Sequence, residues 1–345
     1  MKVTKSIFGK LPDGRRANLY KFETASGLTV CITNYGGIIT SIQTPDKNGH
    51  CSEITAGFQT LEKYIDKHPY FGSIVGRYAN RIANGRFTIN DIPYDLSVND
   101  PPNHLHGGVG GFDSKLWDDI LEQNTSDANL QLKYCSWHLE EGYPGNLHVS
   151  VKYSIFDYNI IEMVFEATTD AATHVNLTNH AYFNLGGFKD DVFDHCLWLN
   201  SKQYLATDKH KIPTGSLVSC LETEYDYFSQ QSLMTPNRMV QSPMDHCFIS
   251  ENRNPHNQPV GVLFHPETGR RLIIYGSQPG IQVYTSNFLD GSLIGHQNTV
   301  YKKYMAICLE NQHFPNAPNT KDFPETLLLP QKKYRQWIRW HFDYT

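Results

Sequence analysis

From Leu147 to Ala167 apolar side chains return at every second position, and that period of two confines the chain to a fold built from strands. Leu147, Val149, Val151, Tyr153 and Ile155 alternate with His148, Ser150, Lys152 and Ser154. After Asp157-Tyr158-Asn159, the residues Ile161, Met163, Phe165 and Ala167 alternate with Glu162, Val164, Glu166 and Thr168. Successive side chains of a strand point to opposite faces, so this stretch reads as a hairpin with one buried face. Residues 86–96 read as a second hairpin turning at Asn90-Asp91. Leu28, Val30 and Ile32 begin another strand, and Asp46-Lys47-Asn48-Gly49 is a strong turn signal. Near the C-terminus Ile338, Trp340 and Phe342 share one face, with Arg339 and His341 on the other. Only residues 61–66 carry helical spacing, through Leu61, Tyr64 and Ile65. The pattern predicts an all-β chain, a sandwich or a barrel. No repeat or linker-like tract divides residues 1–345, which favours a single domain.

Charge and cysteine usage narrow the environment. The net charge of −5 gives no basic patch to reward nucleic acid or an anionic membrane. No run of about 18 apolar residues occurs, and Met1-Lys2-Val3-Thr4-Lys5 lacks the apolar stretch of a secretory leader. The seven cysteines are odd in number and never form a CxxC pair. They read as reduced, mostly buried thiols of a cytoplasmic protein. Motifs for nucleotide cradles, zinc proteases and serine hydrolases are missing: there is no GxxxxGK[ST], GxGxxG, HExxH or GxSxG. The run Gly107-Gly108-Val109-Gly110-Gly111 lacks the strand-to-helix setting of a phosphate cradle and reads as a loop.

Three segments place polar groups where packing alone does not need them. Asn103-His104-Leu105-His106 sets two histidines beside the glycine-rich turn. Residues 175–187 read as one strand, with Asn176, Thr178, His180 and Tyr182 on one face and Val175, Leu177, Ala181 and Phe183 on the other. Residues 305–312 read as an apolar strand ending in Glu310. Met305, Ile307 and Leu309 fall on one face of it, and Ala306, Cys308 and Glu310 on the other. A carboxylate there must find a partner or a ligand, because burying it alone is costly. Taken singly, a strand histidine is an ordinary hydrogen-bonded residue, an arginine such as Arg77 or Arg81 a surface ion-pair partner, and Asp245-His246 a turn.

Taken together, the segments carry a family resemblance. Asn34-Tyr35-Gly36-Gly37, residues 76–84, Leu105-His106-Gly107-Gly108, residues 178–187, Asp245-His246, residues 279–285 and residues 308–319 follow one another along nearly the whole chain. In this order they resemble the aldose 1-epimerase, or galactose mutarotase, family. The resemblance implies a large single-domain antiparallel β-sandwich with an open, cup-shaped sugar site. It also implies that His180 is the general acid and Glu310 the general base. Asn80, Arg81, His106, Asp245 and Gln282 match positions that hold sugar hydroxyls, and Tyr182, on the His180 face, lines the site. One departure is the sequence Glu-Asn-Gln, where family members often carry Thr or Pro after the Glu.

The reaction so implied interconverts the α and β anomers of free aldohexoses such as galactose and glucose. One proton leaves the anomeric hydroxyl, another reaches the ring oxygen, and the open aldehyde turns about C1–C2 before closing. A carboxylate of reference pKa about 4.3 and an imidazole of about 6.5 supply both transfers near neutral pH. No redox or group transfer occurs, so no cofactor and no metal are expected. The expected partner is a small sugar, not nucleic acid or membrane, with the chain acting as a monomer or homodimer.

Overall fold

The computed structural model describes residues 1–66, 68–229, 231–233, 243–251 and 254–345. Strands dominate, and among the described residues every named strand pair is antiparallel. The N-terminal strands Lys2–Lys10, Arg16–Glu23, Thr29–Thr33, Ile39–Pro45 and Cys51–Glu53 form a five-stranded meander. A nine-stranded sheet runs in the order Asp118–Gln123, Asp127–Ser136, Leu147–Phe156, Ile160–Thr169, Tyr334–Tyr344, Arg270–Gly276, Gly261–Phe264, Cys196–Leu199 and Gln231–Ser232. A six-stranded sheet runs Tyr182–Phe183, Ile307–Gln312, Gly280–Tyr284, Asp245–Ile249, Gln203–Thr207 and Pro213–Ser219. The all-β antiparallel sandwich read from the sequence is therefore present.

Alternation explains how these sheets meet. Within the hairpin read from the sequence, Val149 pairs with Ala167, Val151 with Phe165, Tyr153 with Met163 and Ile155 with Ile161. These residues join one core cluster with Ile338, Trp340 and Phe342 of the C-terminal strand. The six-stranded sheet supplies the opposite wall of that cluster through Phe183, Phe248, Ile281, Val283, Ile307 and Leu309. Phe183 meets Trp340 edge-on, ring centroids 5.0 Å apart. With one face of the six-stranded sheet committed to this core, period two turns Tyr182, Asp245, Gln282, Tyr284, Cys308 and Glu310 to its other face.

The turns at Asp157–Asn159 and Asn90-Asp91 fall where the sequence puts them, and Asn90, Asp91 and Asn159 all adopt positive φ. The one α-helix among the described residues, Glu62–Ile65, lies inside the stretch with helical spacing. No helix among them is long and apolar enough to cross a membrane.

Three expectations need correction. Residues 175–187 are not one strand but hold two short pieces, preceded by a third at Thr173–His174, each with its own partner. Thr173–His174 pairs with Leu327–Leu328, Thr178–Asn179 with Ile74–Val75, and Tyr182–Phe183 with Ile307–Gln312. The inward alternation survives: Val175, Leu177, Ala181 and Phe183 all enter the main core. The strand of Glu310 does not end there but continues to Gln312, buried throughout. Asn311 hides its polarity by donating from Nδ2 to the Gln278 and Gly280 carbonyls and accepting from the Gln278 N–H. Met305 lies before the strand, in the turn closed by its N–H to Lys302, and packs on the cluster of Ala306 and Cys308, not with Ile307. Finally, no disulfide joins any of the seven cysteines, yet only three are buried, with Cys51 exposed on the short edge strand of the meander.

Candidate active site

The non-core face of the six-stranded sheet floors a cavity of about 150 Å³ that is lined by all eight residues singled out in the sequence: Asn80, Arg81, His106, His180, Tyr182, Asp245, Gln282 and Glu310. Sheet register sets the floor. Gln282 lies directly across from Glu310 on one side and Cys247 on the other, while Tyr284 pairs with both Asp245 and Cys308. Asp245 therefore opens a strand and is not a turn residue.

Backbone staples set the walls. His180 donates its N–H to the Ser73 carbonyl at 2.9 Å and accepts from Gly72 N–H at 2.9 Å. Gly72 has φ of +66°, and a Cβ there would stand 2.1 Å from the Ile39 carbonyl oxygen, so the position tolerates only glycine. Asn176 and Thr178, expected beside His180, instead pin the frame. Asn176 bonds the Ala79 carbonyl and the His313 N–H, and Thr178 donates to the Asn311 carbonyl. On the facing wall Asn80 and His106 hold each other. His106 N–H donates to the Asn80 carbonyl at 3.1 Å, and Asn80 N–H donates to His106 Nδ1 at 3.2 Å. With Nδ1 accepting, the neutral imidazole of His106 carries its proton on Nε2.

His180 Nε2 lies 3.6 Å from Glu310 Oε1, both side chains almost wholly out of water. The His180 ring stacks on Tyr182 at 4.9 Å and 11°, and on its other side on Tyr70 at 6.0 Å and 17°. His180 Nδ1, Glu310 Oε2 and Gln282 Oε1 are buried with no hydrogen-bond partner among the described residues. Three such atoms in the lining of one cavity are costly in a folded chain unless a ligand satisfies them. Gln282 spends its other end on Asp245 Oδ1, donating from Nε2 at 2.8 Å.

Burial changes the proton affinities expected from isolated side chains. Desolvation pushes the His180 imidazole down from 6.5 to about 3. It pushes the Glu310 carboxyl well above its ordinary 4.5, and the neighbouring Asp245 carboxylate adds to this. His106 is likewise driven well below 6.5 by burial and by His180. The pair therefore favours an uncharged imidazole beside a protonated carboxyl, the reverse of the ordinary ionisation assumed from sequence.

Two polar residues of the segments singled out in the sequence, Arg77 and His104, fall outside the cavity. Arg77 is buried, not a surface ion-pair partner: its guanidinium donates to the carbonyls of Ser136, Trp137, Pro144 and Gly145. Among the described residues Arg81 is the one arginine in the cavity lining. His104 turns away, engaging the Ser97 carbonyl at 2.6 Å and the Tyr143 hydroxyl at 2.8 Å. Among the described residues the ligand-type side chains that come within metal-binding range of one another are Asp194, His195 and His265, outside this cavity. There His195 Nε2 already accepts from Leu185 N–H, and its Nδ1 faces Asp194. A metal on Nδ1 would force a proton onto Nε2, against that N–H, so the trio fits a hydrogen-bonded brace and not a metal centre.

Sequence reading missed Tyr70, Tyr284 and Phe288 in the lining. Tyr284 was legible, two residues from Gln282 and so on its face. Tyr70 and Phe288 had no periodic signal; Tyr70 reaches the site from a loop position with φ of +61°.

The arrangement defines a class before it defines a family: an antiparallel β-sandwich of the galactose mutarotase-like type with a His/Glu pair in a small polar cup. A model of the family described as aldose 1-epimerase matches residues 18–341. The galactose mutarotase of Sus scrofa is 40% identical over 337 residues, covering 97% of this chain and 96% of its own length. The aldose 1-epimerase of Escherichia coli K12 is 31% identical over 338 residues, 96% of each. A solved aldose epimerase homologue from C. elegans superposes with a TM-score of 0.89 at 28% identity, over 95% of this chain and 99% of that one. The chain belongs to the aldose 1-epimerase family, isomerases that interconvert the anomers of aldoses.

The staple under His180 is testable. Gly72→Ala should lower unfolding free energy by more than about 1 kcal/mol, read from the midpoint of a urea transition. An unchanged midpoint would mean that the Ile39 strand yields at no cost.

Proposed function

We propose that this enzyme interconverts the α and β anomers of free aldohexoses, galactose and glucose among them, with His180 and Glu310 as the proton-transfer pair. The observation that carries this reading is that pair, 3.6 Å apart and out of water in a cavity whose other polar residues are suited to hydroxyls. Galactose enters through the name of the Sus scrofa relative. Asn80, Arg81, His106, Asp245 and Gln282 hold hydroxyls, and Tyr182 supports the sugar and the His180 ring. The chain works as one domain over residues 1–345; supporting this, one core cluster draws residues from Tyr20 to Phe342. It acts as a monomer or homodimer. Seven cysteines without a disulfide fit a cytoplasmic setting. No cofactor enters the scheme, because every transfer has a protein partner.

The burial-driven proton affinities set a cost for this chemistry. A charged pair, Glu310 carboxylate and His180 imidazolium, carries the same number of protons as the neutral pair. Glu310 takes the proton of the anomeric hydroxyl while His180 gives one to the ring oxygen. The C1–O5 bond breaks, C1 becomes an aldehyde, and the pair is left neutral. Desolvation favours that neutral distribution, so the charged pair is the minor tautomer, and forming it by a proton shift from Glu310 to His180 adds to the barrier unless hydrogen bonds from the bound sugar stabilise it. After rotation about C1–C2, the reverse transfers close the ring on the opposite face.

Polarimetry of fresh α-D-galactose and α-D-glucose tests the activity, and exhaustive chelation should leave the rate unchanged. Glu310→Gln and His180→Asn should each lower kcat by about 10²–10⁴-fold. The double variant should fall far short of the product of the two effects, because both changes stall one step. Either single variant within about threefold of wild type would remove that residue from the scheme.

The pH profile gives an independent check. The pair gains a second proton only as pH falls through the depressed His180 value, near 3, and loses its proton only as pH rises through the elevated Glu310 value. The profile of kcat/KM should therefore be a broad plateau with its acid limb well below pH 6.5 and its alkaline limb well above 4.5, both belonging to the pair. A narrow bell confined between those two ordinary values would show that burial leaves the pair unshifted.

A further inference from the structure

Arg81 stands between two carboxylates of unequal exposure. Its Nε–H donates to Asp100 Oδ2 at 2.7 Å, while NH1 lies 3.9 Å from Asp245 Oδ2, beyond hydrogen-bonding reach. Asp245 is 9% exposed at its side chain and lines the cavity; Asp100 is 39% exposed and does not. Among the described residues no hydrogen bond occupies the two terminal nitrogens of Arg81. Asp245 Oδ1 is taken by Gln282, which leaves Oδ2 facing the guanidinium across that gap.

Such a gap is unusual for these groups. A guanidinium and a carboxylate this close, and this far from water, ordinarily close into a bidentate pair with two short hydrogen bonds. Closure here would consume the donors of Arg81 and the open oxygen of Asp245 together. What holds Arg81 back is its Nε, fixed to Asp100. Asp100 in turn is placed by its own turn and not by the arginine. Its N–H and carbonyl exchange hydrogen bonds with Asn103 at 3.1 and 2.7 Å. Asn103 Oδ1 accepts from Asn84 N–H, and the neighbouring Asn99 amide braces Leu105 and Gly108.

We propose that Asp100 is a positioning residue for sugar binding: by anchoring Arg81 through Nε, it keeps the outer nitrogens of Arg81 and Oδ2 of Asp245 apart and open to the hydroxyls of one sugar. This rests on the functional reading above. Asp100 itself touches neither the cavity nor the reacting atoms. Its removal should weaken ground state and transition state alike, raising KM and sparing kcat.

Steady-state kinetics on Asp100→Ala should show KM about tenfold higher with kcat within about threefold of wild type. Asp100→Asn keeps a neutral acceptor for the Nε–H and should recover most of the loss. The decisive comparison is Asp100→Ala in an Asp245→Asn background. There the carboxylate onto which Arg81 would collapse is gone, so the added KM penalty should shrink to less than about threefold. An Asp100→Ala KM within about twofold of wild type would overturn the proposal. So would an equal penalty in both backgrounds, which is the mark of a merely structural role. Should the alanine variant fail to fold, Asp100→Ser keeps a turn-compatible hydroxyl too short to reach Nε, and the same outcomes apply. Wild-type activity above the spontaneous rate secures the functional reading separately; its absence would remove both that reading and this one.

Discussion

Glu310 is a carboxyl group held out of water in the middle of a strand whose other face belongs to the main hydrophobic core. Ile307 and Leu309 pack against the nine-stranded sheet, so Cys308 and Glu310 have no choice of side. The strand cannot rotate to expose Glu310 without pulling its neighbours from that core, a loss of about 2–5 kcal/mol for each large apolar side chain. Core packing thus enforces the desolvation that raises the carboxyl's proton affinity. The same sheet fixes Gln282 opposite it and Asp245 one strand further, whose charge raises that affinity again.

The cup around this carboxyl is built by backbone, not by side-chain contacts alone. His180 sits between two short strand pieces and is clamped by Gly72 and Ser73, while Asn80 and His106 clamp each other. Asn80, His106 and Tyr70, none of them glycine, all adopt positive φ. Strained backbone of this kind persists where surrounding hydrogen bonds over-determine it, and such positions gather at ligand sites. In the proposed reading, the strain lets loops from distant parts of the chain bring short polar side chains within reach of one small ring.

The electrostatic design of the proposed site differs from a simple acid beside a base. A low-dielectric setting penalises both ions of the His180–Glu310 pair and favours its neutral form. In the proposed scheme ring opening ends on that neutral form but starts from the charged one, so the hydrogen bonds of a bound sugar must first stabilise the charged pair. At the other end of the cup the ionic groups are managed oppositely. Arg81, Asp100 and Asp245 remain close without full pairing, because Asp100 sits nearer the solvent and takes the arginine by its inner nitrogen.

Much of this was legible in the sequence, for a definite reason. Period two states which side chains share a face, so the core hairpin, the C-terminal strand and the shared face of Cys308 and Glu310 could be read residue by residue. The ordered motifs singled out eight positions, and all eight line one cavity. Other features had no local signal. Thr178–Asn179 and Tyr182–Phe183 read as one strand because alternation does not reveal a change of partner. The strand of Glu310 seemed to end early because Asn311 and Gln312 look solvent-facing until distant carbonyls satisfy Asn311. Arg77 and Arg81, four residues apart and alike on paper, differ only in what surrounds them: one is walled in by four carbonyls, the other opens on the cup. His104 and His106 part in the same way. The sequence by itself determined which faces are apolar and which residue types stand on the others. Only the tertiary structure decided which polar groups are desolvated, which are satisfied and which remain open, because those properties depend on segments brought together from across the whole chain.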